Sequence, residues 1–128
     1  VAKAVLDASA LLALLNQETG SEAVADTVST GVALSAVSLS EVIAKLAESG
    51  MPEAVIREVL DPLGIEVVAF GLDMAYETGL LRPGTKAQGL SLGDRACLAL
   101  AQRLGLSAVT ADRAWAVLDL GVTVRVIR

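Results

Sequence analysis

Short apolar runs alternate along this chain with stretches of helical spacing, from one end to the other. Residues 2–6 (Ala-Lys-Ala-Val-Leu) predict a short buried strand that feeds an apolar helix around 8–16. Gly20 to Thr30, opened by Ser21, predicts a second helix, and Val32 to Val37 a second strand. A helix from about 39 to 49 ends at Gly50. Pro52 starts another, which runs to about Leu60 and closes at Pro62 and Gly64. Ile65 to Phe70 is rich in β-formers, residues 72–82 are helical in pattern, and Pro83 to Leu90 read as a glycine-containing loop. Between 92 and 104, Leu98, Ala101 and Leu104 share one apolar face, and Gly105 provides the stop. Ser107 to Thr110 predicts a strand, 112–119 a short helix burying Trp115 and Leu118, and Val122 to Ile127 the last strand.

Strands alternating with helices imply an α/β fold, with a mostly parallel sheet covered by helices on both faces. The 128 residues form one domain, 1–128, long enough to bury a core, with no internal repeat or linker. Hydrophobic residues make up 54% of the chain but aromatic ones only 2%, so Ala, Leu and Val must fill the interior. A mean hydropathy of +0.63 implies more apolar surface than a solitary monomer shows, hence a dimer or partner interface. Lys3 ahead of apolar residues 4–15 has the outline of a signal peptide. Asp7 interrupts that run, and Asn16-Gln-Glu-Thr offers no small-residue cleavage site. No apolar stretch approaches the roughly 20 residues of a membrane span. A single cysteine, Cys97, excludes an internal disulfide and points to a reducing, cytoplasmic setting; within its apolar helix it reads as a small core residue.

Candidate chemistry lies in four acids, each placed by the pattern where a strand gives way to a helix and each beside a hydroxyl residue. They are Asp7 in Val-Leu-Asp-Ala-Ser9, Glu41 in Ser38-Leu-Ser-Glu, Asp94 in Ser91-Leu-Gly-Asp-Arg and Asp112 in Val-Thr110-Ala-Asp-Arg. In an α/β domain such junctions gather at the carboxyl edge of the sheet, where ligands bind. Taken singly, each acid has a structural explanation. Ser38-x-x-Glu41 and Ser91-x-x-Asp94 match the capping box, and Asp7 and Asp112 match helix caps. Asp7 strains that account most, because it ends a hydrophobic strand, and an unpartnered buried charge costs roughly several kcal/mol. Taken together, four clustered carboxylates stay ionised only beside a multivalent cation.

Hard oxygen donors, with no histidine and no second cysteine in the chain, favour Mg²⁺ or Mn²⁺ over zinc. Such a site suits hydrolysis of phosphodiesters by metal-activated water. The absence of histidine excludes a histidine base, and neither a phosphate-binding P-loop nor a Gly-x-Ser-x-Gly elbow is present. The net charge of −5 argues against strong non-specific nucleic-acid binding. Without the four acids, however, 11 acidic residues stand against 10 basic ones, so the acidity belongs to the site.

These segments, in this order and over nearly the whole chain, resemble the PIN-domain ribonucleases. Within that family they are most similar to the VapC-like toxins of VapBC toxin–antitoxin pairs. The likeness rests on Val5-Leu-Asp7-Ala-Ser-Ala-Leu-Leu-Ala-Leu-Leu, Ser38-Leu-Ser-Glu41-Val-Ile-Ala-Lys-Leu, Leu90-Ser-Leu-Gly-Asp94-Arg-Ala-Cys-Leu-Ala-Leu-Ala and Val109-Thr-Ala-Asp112-Arg. It implies a three-layer α/β/α domain with the first strand near the sheet centre and an acidic pocket for Mg²⁺ or Mn²⁺. Asp7 and Asp94 match the principal ligands, Glu41 their acidic partner and Asp112 the fourth, more variable member. Ser9 and Thr110 would orient the carboxylates by hydrogen bonds. The likeness further implies endonucleolytic cleavage of RNA by water, a homodimer, and inhibition by a small antitoxin that threads a segment into the pocket.

Arg95 and Arg113 each follow a proposed ligand and are candidates for substrate phosphate, as against a solvated face or a local salt bridge. Lys45, four residues after Glu41, is read as its helical ion-pair partner ahead of a phosphate contact. Arg82 and Lys86 flank the 83–89 loop and read as solvated, with RNA or antitoxin contact as the alternative. Trp115, Tyr76 and Phe70 are too dispersed for a base-stacking platform and read as core or dimer packing. Two other readings compete. One is a PIN nuclease for RNA processing or DNA outside any toxin system. The other is a metal-dependent binding module: Asp7-Ala-Ser9 begins an Asp-x-Ser-x-Ser adhesion site, but Leu11 stands where its last serine is needed. A phosphoacceptor receiver domain is also disfavoured, since the paired acids after the first strand and the late-strand lysine are missing.

Overall fold

Five strands and seven helices make up the computed structural model, which describes residues 1–128. β1 (Ala4–Leu6) runs through Asp7 into α1 (Ala8–Leu15), and α2 (Ser21–Ser29) returns the chain to β2 (Val32–Ser35). α3 (Ala36–Glu48), α4 (Glu53–Leu60) and a 3-10 turn at Asp61–Leu63 precede β3 (Glu66–Val68). α5 (Leu72–Leu80), α6 (Arg82–Thr85) and a 3-10 turn at Lys86–Gln88 lead to α7 (Leu92–Leu104). β4 (Ser107–Thr110), a 3-10 turn at Arg113–Val117 and β5 (Val124–Val126) complete the chain.

Every strand pairing is parallel, in the order β3-β2-β1-β4-β5, with Leu6 beside Leu34 on one side and Val109 on the other. Parallel strands need helical crossovers, which bury both sheet faces, and β1 and β2 are buried throughout. Strand alternation divides the interior in two. Ala4 and Leu6 pack with Leu11, Val24, Val42, Leu46 and Ile56, from α1 to α4. Val5 packs with Met74, Leu98, Leu100 and Trp115, under α5 and α7. The result is the expected three-layer α/β/α arrangement with β1 at its centre. No helix is long and apolar enough to cross a membrane.

Several elements differ from the sequence expectation. β2 stops at Ser35, because the Ser35 hydroxyl accepts from the Val37 amide (3.2 Å) and starts α3 early. Ser38 therefore lies inside the helix, buried with no partner for its hydroxyl, and Ser38-x-x-Glu41 is not a capping box. The expected loop at 83–90 is largely helical. Pro83 occupies the first turn of α6, where its missing amide costs nothing, and Thr85 donates to the Leu81 carbonyl (2.9 Å). α7 is buried without a break from Ala96 to Ala101, since it is covered by α5 and α3 as well as the sheet. Leu104, predicted to share its apolar face, is 41% exposed. The 112–119 helix is a 3-10 turn that buries Trp115 but leaves Leu118 half-buried. β3 and β5 keep three residues each of the longer strands predicted, and short strands suit the two edges they occupy.

Candidate active site

The strand order reverses between β1 and β4, which opens a crevice at the carboxyl ends of these two neighbours. Asp7 leaves β1 at that point and Thr110 ends β4 beside it. Asp7 is only 3% exposed, and its carboxylate is held by three donors. The Ala10 amide donates to Oδ1 (2.8 Å), which makes Asp7 the N-cap of α1. Thr110 donates its hydroxyl to Oδ2 (2.5 Å), and the Ser9 hydroxyl lies 2.8 and 2.9 Å from the two oxygens. Both hydroxyls are themselves aimed by main-chain amides. Ala111 donates to Ser9 Oγ (2.9 Å) and Asp112 donates to Thr110 Oγ1 (3.0 Å), so each hydroxyl proton is left for Asp7. Ser9 and Thr110, expected to orient the carboxylates, both bond Asp7.

Asp94 reaches the site differently from the prediction, since no strand precedes it: it lies in the first turn of α7. The capping box with Ser91 is present, with Ser91 Oγ accepting from the Asp94 amide (3.1 Å) and Asp94 Oδ2 from the Ser91 amide (3.0 Å). Glu41 sits in the second turn of α3, not at a strand end, and none of its atoms is hydrogen-bonded to another side chain. Its carboxyl lies across α7 at Gly93. A Cβ there would stand 1.5 Å from Glu41 Oε1 and 2.5 Å from its carboxyl carbon. Gly93 is thus part of the site, and sequence reading missed it. Only a glycine lets the α3 carboxylate settle beside Asp94.

Burial pushes the Asp7 carboxyl above its ordinary value; the Thr110, Ala10 and Ser9 hydrogen bonds oppose the rise, and the Asp94 charge adds to it. Partial burial, then the charges of Asp94 and Asp7, raise Glu41. Every charge acting on these two groups is another carboxylate, and none of the three salt bridges in the chain involves them. Burial likewise pushes the Cys97 thiol well up, with Asp7 and Asp94 contributing, so Cys97 is a protonated core residue and no nucleophile.

The structure brings Asp7, Glu41 and Asp94 into mutual influence. Asp112 stands at the rim, linked to Asp7 through the Thr110 hydroxyl, with its own Oδ1 accepting from the Ala114 amide (2.9 Å) as the cap of the 3-10 turn. Three uncompensated oxygen donors are the chemistry that suits a hard divalent cation. In the arrangement present, no three of the acids stand close enough to grip an ion. The three arginines singled out in the sequence bond to main-chain carbonyls elsewhere. Arg95 donates Nη1 to the Thr78 carbonyl (3.3 Å), Arg113 donates Nε to the Arg128 carbonyl (2.9 Å), and Arg82 donates to the Leu90 carbonyl (3.4 Å). The Glu41–Lys45 ion pair is not formed, and the Glu41 carboxyl lies at Gly93 instead.

Comparison with curated proteins gives no match. Solved structures do match in fold. A DNA-bound VapBC from Salmonella typhimurium superposes with a TM-score of 0.76 at 20% identity, covering 100% of both chains. A toxin–antitoxin complex from Klebsiella pneumoniae gives 0.73 at 22% identity, over 94% of this chain and 96% of that one. VapBC-5 from Mycobacterium tuberculosis gives 0.61 at 23% identity, over 100% and 99%. The PIN domain family model matches residues 4–120, nearly the whole of the α/β/α domain and all four acids. The chain belongs to the PIN domain family.

Proposed function

We propose that this chain is a metal-dependent RNA endonuclease acting as the toxin of a toxin–antitoxin pair. The observation that carries the reading is the buried Asp7 with Glu41 and Asp94: each charge that raises Asp7 or Glu41 belongs to another carboxylate of this group. Asp7, Glu41 and Asp94 would hold Mg²⁺ or Mn²⁺, with Asp112 as a fourth ligand from the rim. The bound cation would supply a water of lowered pKa and neutralise charge developing on the phosphate. The chain's own contribution is positional. Three donors fix Asp7, the capping box fixes Asp94, and Glu41 keeps a carboxylate free to turn to the ion or to take the proton of attacking water. Arg95 and Arg113 are candidates for substrate phosphate, each by exchanging its present carbonyl partner for a phosphate oxygen. Fold neighbours that are toxin–antitoxin complexes support a small antitoxin as partner, and the exposed apolar surface supports a homodimer.

The test is incubation of purified, antitoxin-free protein with a mixed pool of structured RNAs, in Mg²⁺ or Mn²⁺ and in EDTA. Cleavage is expected with metal and not in EDTA. Asp7→Asn and Asp94→Asn are each expected to lower the rate about 100-fold or more while remaining folded. Water attack leaves the 2′-hydroxyl out of the reaction, so the products should carry no 2′,3′-cyclic phosphate. Retained cleavage in both variants, or cyclic-phosphate ends, would sink the proposal.

A further inference from the structure

Beside the acidic crevice lies a second, polar cleft of about 390 Å³. Ser9, Leu12 and Asn16, one face of α1, form one wall, and Lys45, Leu46 and Ser49 of α3 form the other. Ser9 belongs to both sites, since its hydroxyl also binds Asp7, so the cleft continues directly from the candidate catalytic centre. From Ser9 to Asn16 the wall is about 10 Å long at the α-helical rise, room for the chain beyond a reacting phosphate. Arg128 and Glu18 close the far end. They pair at 3.0 Å, and Arg128 is further tied to the Thr19 carbonyl (3.3 Å), so the acid there is neutralised. Lys45 is different. Exposed, it has neither the ion pair its spacing predicted nor any other hydrogen bond, and it is the one uncommitted cation on this cleft.

We infer that the Lys45 cleft is the subsite for the RNA strand next to the scissile bond, with the Lys45 ammonium on a backbone phosphate and Asn16 and Ser49 offering hydrogen bonds to the sugar-phosphate. This rests on the nuclease reading above and adds the path of the substrate. An acidic protein that must hold a polyanion needs a cation at the point of contact. A neutral amide, a hydroxyl and one lysine can follow a backbone without reading sequence.

The experiment uses a fluorescein-labelled single-stranded RNA of mixed sequence and the full chain as wild type, Lys45→Gln, Lys45→Arg and Lys3→Gln. Lys3 lies before β1, at the opposite edge of the sheet, and controls for loss of one charge. Binding is read by anisotropy in EDTA across a salt series, and thermal midpoints confirm folding. Cleavage of the RNA pool in Mg²⁺ is followed separately. Lys45→Gln is expected to bind about tenfold more weakly. Its plot of log affinity against log salt should be shallower by about 0.7, the share of one phosphate on a single strand. In cleavage KM should rise with kcat little changed, and Lys45→Arg should restore both. Equal affinity and slope in Lys45→Gln and wild type, or equal losses in Lys45→Gln and Lys3→Gln, would overturn the inference. Normal cleavage with unaltered binding would overturn the subsite alone. Absence of cleavage in wild type, with binding that depends on Lys45, would overturn the nuclease reading and keep the cleft as an RNA site.

Discussion

Asp7 combines a buried carboxyl with the central position in the candidate site. In metal-free protein the Asp7 and Glu41 carboxyls hold their protons to higher pH than they would in the unfolded chain. The native state therefore binds more protons, and stability falls as pH rises from about 4 through their raised values. Thermal unfolding in EDTA should show this decline. Asp7→Asn, which removes the buried charge yet leaves an oxygen to accept from Ala10, should be more stable than wild type at pH 7 and lose that advantage near pH 4. A wild-type curve that rises with pH in EDTA would contradict the assignment. Asp7 was legible in the sequence because a charge at the end of an apolar run has few bland explanations. The hydroxyls of Ser9 and Thr110 were legible only by their neighbourhood. The amides of Ala111 and Asp112 that aim them were not, since main-chain groups leave no mark in a sequence.

Among the elements, α3 and α7 decide the geometry. Their helical periodicity was readable, but not the way they meet. Local rules assigned Glu41 to a capping box with Ser38 and to an ion pair with Lys45. Both failed because Ser35 starts α3 a turn early and the Glu41 carboxyl crosses to Gly93. Gly93 itself carried no signal, as its constraint comes from a residue in a distant segment. Gly93→Ala tests the contact. Alanine in a helix gains roughly 0.5–1 kcal/mol over glycine, and only the flexible end of Glu41 must move aside. The variant should melt at the same temperature as wild type or higher, while metal-dependent cleavage drops about tenfold or more. Undiminished cleavage would show that the Glu41 position over Gly93 is not the working one. The 83–90 segment gave the opposite lesson: Pro83 and Gly84 suggest a loop to any local rule, yet the segment winds into α6 because a proline in the first turn is permitted there.

At the scale of the whole molecule, a parallel sheet covered on both faces was legible in outline, because such burial leaves continuous apolar runs at β1, β2 and β4, whereas the strand order was not. The edges were less so, as β3 and β5 are half-solvated and the predicted strands overran them. The excess hydropathy has a location. Leu72, Tyr76 and Leu80, spaced four apart on α5, are 75%, 67% and 75% exposed. Such an apolar stripe on one exposed helix suits an isologous interface, in which the same patch of two copies meets across a two-fold axis. Light scattering should find a dimer, and Tyr76→Asp should yield a folded monomer; an unchanged dimer would place the interface elsewhere. The centre of the sheet has its own consequence. Asp7 and the Thr110 hydroxyl that holds it are 103 residues apart, and β1 finds β4 only after nearly all the chain has been made. At about 5–20 residues per second of synthesis, the amino-terminal half waits roughly 5–20 s for its partner strand. On the proposed function, the site that would cut RNA is therefore incomplete until nearly the whole message has been read. Any product truncated before Thr110 lacks the hydroxyl that holds Asp7 in place.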